Sequence, residues 1–180
     1  MRRALLIVLL LVVLVGIAWL IFDDFQLRGE IQRLNRELRP KEAKIAVFFI
    51  KSTPTNFYLK PVLVPVGQDE AQHLQALKAL FAGPPPGSEL TPVFAPETKL
   101  LDYKLENGLA TVNLNREATR LNVGAQGEYL AVASIVNTLT KLPEVFQVKI
   151  LIEGNEVESL AGHVDLTGVF EYDNRVVTLE

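Results

Sequence analysis

The chain has 180 residues, a formal net charge of −3 and no cysteine. The missing cysteine excludes structural disulfides, a thiol nucleophile, thiolate metal sites and a lipid-modified N-terminal Cys. From residue 41 onward, 12 basic residues stand against 17 acidic ones. An acidic domain without a basic patch is a poor phosphate binder, so the sequence predicts no nucleic-acid partner.

Residues 4–22 form an uncharged apolar run, long enough to cross ~30 Å of hydrocarbon as a helix. Arg2 and Arg3 precede it and Asp23 and Asp24 follow, which leaves the N-terminus in the cytoplasm and the rest outside. Trp19 falls near the outer end, where an indole suits the interface. The competing reading is a cleaved signal peptide, whose apolar core usually runs ~7–15 residues to a small-x-small site. This run instead closes on Trp19-Leu20-Ile21-Phe22. The expectation is a single-pass anchor in the cytoplasmic membrane (residues 1–22) carrying an extracytoplasmic domain. Residues 23–43 read as a charged juxtamembrane stalk. Leu27, Ile31, Leu34 and Leu38 make a seam of under two heptads, favouring a stalk helix that ends before Pro40 over a dimerising coil.

Residues 44–50 read as a buried first strand, rich in branched and aromatic side chains. Residues 57–66 are a second extended run, but Pro61 and Pro65 cannot donate to a ladder, which confines the run to an edge. The edge Val62, Leu63, Val64, Pro65 and Val66 is a candidate docking surface, where a partner strand could add. Residues 68–81 read as a helix with Leu74, Leu77, Leu80 and Phe81 inward and Asp69 and Glu70 in its first turn. The proline-rich stretch 83–98 follows as a loop.

Over residues 99–114, Asn107-Gly108 marks a two-residue type I′ turn. It sets Glu106 opposite Leu109, Leu105 opposite Ala110, Tyr103 opposite Val112 and Leu101 opposite Leu114. Residues 115–126 read as loop. A helix follows with Tyr129, Val132, Ile135, Val136, Leu139 and Leu142 on its apolar face. It breaks at Leu142-Pro143, and the strand 145–152 alternates with Phe146, Val148, Ile150 and Ile152 on one side. Gly154-Asn155 is a second plausible turn, into a short return strand at 157–160. Residues 44–172 thus make one domain, followed by a weakly specified tail, 173–180. The fold class is α+β: a two-layer, open mixed sheet with two helices on one face, preceded by the transmembrane helix.

Chemistry is sparse. His163 and Asp165 would share a face of a strand, where a metal or general base could use them, but a metal wants three or four ligands and His73 is the only other histidine. The pair therefore reads as turn architecture. The acids Asp69, Glu70, Glu153, Glu156 and Glu158 read as solvated. Ser134 and Ser159 have no nucleophile-elbow setting, and no glycine-rich phosphate loop follows a strand. Asn137 and Thr138 lie within the second helix, to cap or cross-link it to the sheet. The residues imply no catalytic group, cofactor or metal.

Five motifs in order then carry a resemblance: VLVPV at 62–66, ALFAGP at 79–84, NGLATVNL at 107–114, IVNTLT at 135–140 and ESLAGHVDL at 158–166. Together they resemble the GerMN domain, the module of the GerM-type sporulation and spore-germination proteins. The resemblance implies a small domain outside the cytoplasmic membrane, similar to ring-building modules of envelope complexes. It also implies a non-catalytic role through protein contacts, with an envelope protein partner or by self-association. Asn137, Thr138, Gly162, His163 and Asp165 are then structural motif residues. Many relatives are lipoproteins and some carry two such domains, whereas this sequence has no cysteine and one copy. The alternative is a protein that binds or processes peptidoglycan.

Overall fold

Run 44–50 does form a strand, and both of its faces are buried. The structure, a computed structural model, describes residues 43–67, 70–121 and 123–179, together with Trp19. The chain divides into two compact units, Met1–Lys41 and Glu42–Glu180. Apart from Trp19 and Ala43, which opens the first strand, the anchor and stalk expected over 1–43 lie outside the described residues. Among the described residues, no helix is long and apolar enough to cross a membrane.

In the second unit, β1 (Ala43–Ser52) pairs antiparallel with β2 (Phe57–Val66) along its whole length, and β3 (Leu90–Thr91) adds briefly to its other edge. A second sheet has β5 (Leu109–Leu114) at its centre, antiparallel to β4 (Leu100–Glu106) and parallel to β6 (Gln147–Ile152). Two helices, α1 (Gln72–Ala82) and α2 (Ala125–Leu139), complete the α+β domain, with a short 3₁₀ turn at Arg116–Thr119.

The single open sheet expected from the sequence is therefore two three-stranded sheets. The reason lies at the edge of β1 that faces away from β2. The Phe48 amide on that edge donates 3.1 Å to Thr138 Oγ1 of α2, and β3 takes the positions at Ile50 and Lys51. The hairpin β4–β5 finds no free edge there and pairs with β6 instead. Both helices pack against β1 and β2, and side chains of both join the core on the Ile45, Val47 and Phe49 face of β1. α2 contacts β1, β2, β6 and α1, and α1 reaches β1, β2 and β4.

One continuous core joins Ile45, Val47 and Phe49 of β1 to Leu77 and Leu80, Val112 and Leu114, Ile135 and Leu139, and Val148 and Ile150. Phe48 and Leu59, on the opposite face of the first sheet, pack with Leu130 and Ala133 in a smaller cluster that Val176 and Val177 border. The alternation that puts Phe48 and its neighbours on opposite faces is the period of a strand.

The Asn107-Gly108 turn has positive φ at both residues (51° and 84°), as a type I′ turn requires. The register from Glu106–Leu109 to Tyr103–Val112 is as the turn dictates, but a bulge then pairs Leu100 with Leu114. Leu101 is turned out to solvent. Phe146, expected inward, precedes β6 and is 72% exposed, its ring lying over Gly108. The turn after β6 is Glu153-Gly154, not Gly154-Asn155: both have positive φ, and Ile152 and Asn155 exchange their backbone bonds across it. Glu153 therefore lies within the turn. Residues 157–160 form no strand. Glu70 precedes α1, which starts only at Gln72, and Asp69 lies outside the described residues. In the proline-rich stretch 83–98, Pro85, Pro86, Pro92 and Pro96 are exposed, while Val93, Phe94 and Thr98 are buried.

The hydroxyl of Tyr103 is buried with no hydrogen-bond partner, and burial pushes its pKa up to about 12. Removing an unsatisfied buried group costs nothing in lost bonds. Tyr103→Phe is expected to keep or raise the urea midpoint. Gly108→Ala places a Cβ 2.4 Å from Phe146 Cδ2 at φ +84° and is expected to lower stability by about 1–2 kcal/mol in the same measurement.

Candidate functional site

Helix α2 is buried on every side from Leu130 to Leu139, including Ser134, Asn137 and Thr138. A helix without a wet face must satisfy its polar side chains within the protein. Ser134 Oγ turns back onto the Ala131 carbonyl at 2.7 Å. Thr138 accepts the Phe48 amide that no strand pairs. Asn137 presents its whole amide to Asp173, accepting from the Asp173 N–H at 2.8 Å and donating to its carbonyl at 2.8 Å.

Glu128, in the first turn of α2, is fully buried. Its Oε1 accepts the N–H groups of Leu160 and Ala161, each at 2.9 Å, and Oε2 accepts that of His163 at 2.8 Å. These charge-assisted bonds, with the positive end of the helix dipole, stabilise a carboxylate away from water. The ESLAGHVDL motif is thus wrapped around an anion supplied by the protein itself. Gly162, at φ +94°, gives the loop the left-handed step that it needs there.

His163 and Asp165 do not act as a pair. His163 contributes its backbone N–H to Glu128 while its side chain is exposed. Asp165 Oδ1 accepts the Thr167 amide and hydroxyl, 2.9 and 2.7 Å away, which hold its carboxyl below the usual range. Both border a shallow hollow of 480 Å³ with Glu158, Ser159 and Thr167. Among the described residues, no group of three His, Cys, Asp or Glu is placed to hold a metal ion. His73 is elsewhere, stacked on Tyr103 with ring centroids 4.5 Å apart, and burial lowers its pKa.

The C-terminal tail is an integral part of the domain. Leu59 donates to the Val176 carbonyl at 2.7 Å and accepts from Thr178 at 2.9 Å, so the tail lies along the outer edge of β2. Asp173 gathers Arg175 and Tyr129. The Arg175 guanidinium, with smaller help from the Tyr129 hydroxyl, holds the Asp173 carboxyl well below the carboxylate range. A groove of 450 Å³ runs between this tail and Tyr129, Val132, Ala133 and Val136 of α2. Lys141 sits 3.8 Å above the Tyr172 ring. Neither Glu128 nor the Asp173 cluster stood out in the sequence. The signal for Glu128 was a lone charge in a helix with no polar stripe to carry it.

The candidate edge divides by alternation. Val62 and Val64 pack against the main core and Val66 is buried, while Pro65 is exposed and Leu63 is 65% exposed.

These described residues define a small α+β domain whose polar motif residues are committed to its own backbone. Residues 46–158 match the family described as Germane, sporulation and spore germination, and the chain belongs to that family. It is similar to the tandem GerMN domains of the sporulation protein GerM from Bacillus subtilis, with a TM-score of 0.65 and 22% identity over 77% of this chain and 48% of that one. The first GerMN domain of that protein aligns at 0.58 and 20% identity, over 74% of this chain and 98% of that one. A putative lipoprotein from Clostridium perfringens aligns at 0.54 and 27% identity, over 72% and 87%. This chain spans about half the length of the tandem structure. No curated protein is a significant match.

Two outcomes follow from the geometry. Glu128→Gln keeps one acceptor but turns an amide N–H against the His163 N–H, and is expected to cost about 2–4 kcal/mol in urea unfolding. Asp173 has a folded pKa below its unfolded value, so its contribution is present above about pH 4 and is lost as pH falls through the folded value. The stability difference between the wild type and Asp173→Asn should shrink as the pH is lowered from ~5 to ~2, measured by denaturant midpoints.

Proposed function

We propose that the chain is a non-catalytic protein-interaction module acting in sporulation or spore germination, held at the outer face of the cytoplasmic membrane by residues 4–22. The observation that carries this reading is the commitment of the family-motif side chains. Asn137 and Thr138 satisfy backbone groups, Asp165 caps its own turn, and the ESLAGHVDL loop closes on Glu128. Motif side chains bonded to the backbone leave the interaction surface to the exposed remainder, including Leu63, Phe57 and Phe146. The family description supports the developmental setting. The uncharged run 4–22 and its flanking charges support the anchor.

A peptidoglycan-processing role would need convergent acid and base groups. Its strongest candidates are His163 and Asp165, which border one hollow, where Asp165 is bonded to Thr167 and the His163 backbone to Glu128. In a host that forms spores, deletion of the gene should reduce heat-resistant spores or their germination. The full chain carrying His163→Ala and Asp165→Asn should restore the wild-type count. Normal sporulation and germination without the gene would sink the developmental reading. Failure of the folded double variant, with altered wall turnover, would favour the peptidoglycan reading.

A further inference from the structure

The second sheet ends on β4, and its outer edge carries a short stretch of unbonded backbone. The two-residue turn makes Glu106 and Leu109 exchange backbone bonds. Lys104 therefore also faces β5, while Tyr103 and Leu105 turn their N–H and C=O groups outward. The Tyr103 amide confirms the phase independently, because it donates to Asp102 Oδ1 at 2.9 Å and not to β5. A carboxylate thus closes half of the edge at Tyr103, and the bulge at Leu101 breaks the strand just beyond. Among the described residues, neither backbone group of Leu105 has a hydrogen-bond partner. Asp102, Lys104 and Glu106 alternate with these positions on the exposed face, and Lys104 Nζ lies 2.9 Å from Glu106 Oε1.

Two copies of this strand can pair antiparallel only with outward-facing residues set against outward-facing residues. A pairing centred on Lys104 puts Lys104 against Lys104 and Asp102 against Glu106, like charges throughout. One centred on Tyr103 needs the amide that Asp102 already holds, and brings the bulge opposite Leu105. Centred on Leu105, the two Leu105 residues exchange both backbone bonds, and Lys104 of each copy stands directly opposite Glu106 of the other. Together with the ion pair inside each copy, these side chains close a ring of alternating charge. The pairing also joins two three-stranded sheets edge to edge into one. We propose that β4 is a self-recognition edge: a second copy of this chain docks antiparallel on it, centred on Leu105, in the register that Lys104 and Glu106 select.

This inference rests on the interaction reading, with a second copy as the partner, but is tested apart from it. Because the chain has no cysteine, Lys104→Cys and Glu106→Cys report the register. In the Leu105-centred pairing, position 104 of one copy faces position 106 of the other in a non-hydrogen-bonded pair, ~4.5 Å between Cα atoms and within disulfide range. Under mild oxidation of the full chain in detergent, the two variants mixed should cross-link to each other faster than either cross-links to itself. Charge is tested with Lys104→Glu and Glu106→Lys, followed by energy transfer between labelled full chains. Each variant alone sets like charges across the edge and should self-associate at least ~10-fold more weakly than the wild type, whereas the two mixed should bind each other at wild-type strength. Both side chains are exposed, so the unfolding midpoints should stay close to that of the wild type. Cross-linking no faster in the mixture, preferential cross-linking of Lys104→Cys to itself, or a mixed charge pair no tighter than its components would each overturn the proposal. If pairing fails while the deletion phenotype holds, the edge is wrong and the developmental reading stands.

Discussion

The domain depends on a helix that has no outside. From Leu130 to Leu139, α2 is enclosed by β1, β2, β6, α1 and the tail, and enclosure forces each of its polar side chains to find a partner. Those partners are backbone groups that the sheets and loops leave orphaned: the Phe48 amide at the open edge of β1, three amides of the loop 160–163, and the Asp173 peptide. The helix therefore stands in for missing strands. That substitution explains why two small sheets coexist in one core instead of merging into one.

The same logic extends to the outer edge of β2. The tail covers it at Leu59, and Pro61 and Pro65 sit where their nitrogens face away from β1, so neither removes a bond from the β1–β2 ladder. The tail is fastened at Asp173 by groups from α2, so helix, tail and edge form one mechanical unit. Acid weakens that fastening through Asp173 before it reaches the apolar core.

Local chemistry was legible in the sequence wherever it was self-contained. Asn107-Gly108 determined its turn and most of the hairpin register because both residues accept positive φ. The prolines of β2 marked an edge strand. The α+β class and the family motifs were also readable. What was not readable depended on partners distant in sequence. Phe146 fits an alternating pattern, yet the parallel pairing of β6 with β5 begins one residue later, and the ring serves the hairpin turn instead. Leu101 is displaced by a bulge that no turn residue announces. Glu128 was not singled out, because its three partners lie more than thirty positions away. The division into two sheets rests on Thr138 meeting Phe48 across ninety residues.

The central claim is that side chains of α2 replace strand and loop partners as part of the global fold. Amide hydrogen exchange tests it most directly, read residue by residue at Phe48, Leu160, Ala161, His163 and Asp173. If the claim holds, these five amides exchange only through global unfolding, in step with the central amides of β1 and β5. Rapid exchange at Phe48 and the 160–163 loop, while those strands remain protected, would contradict it.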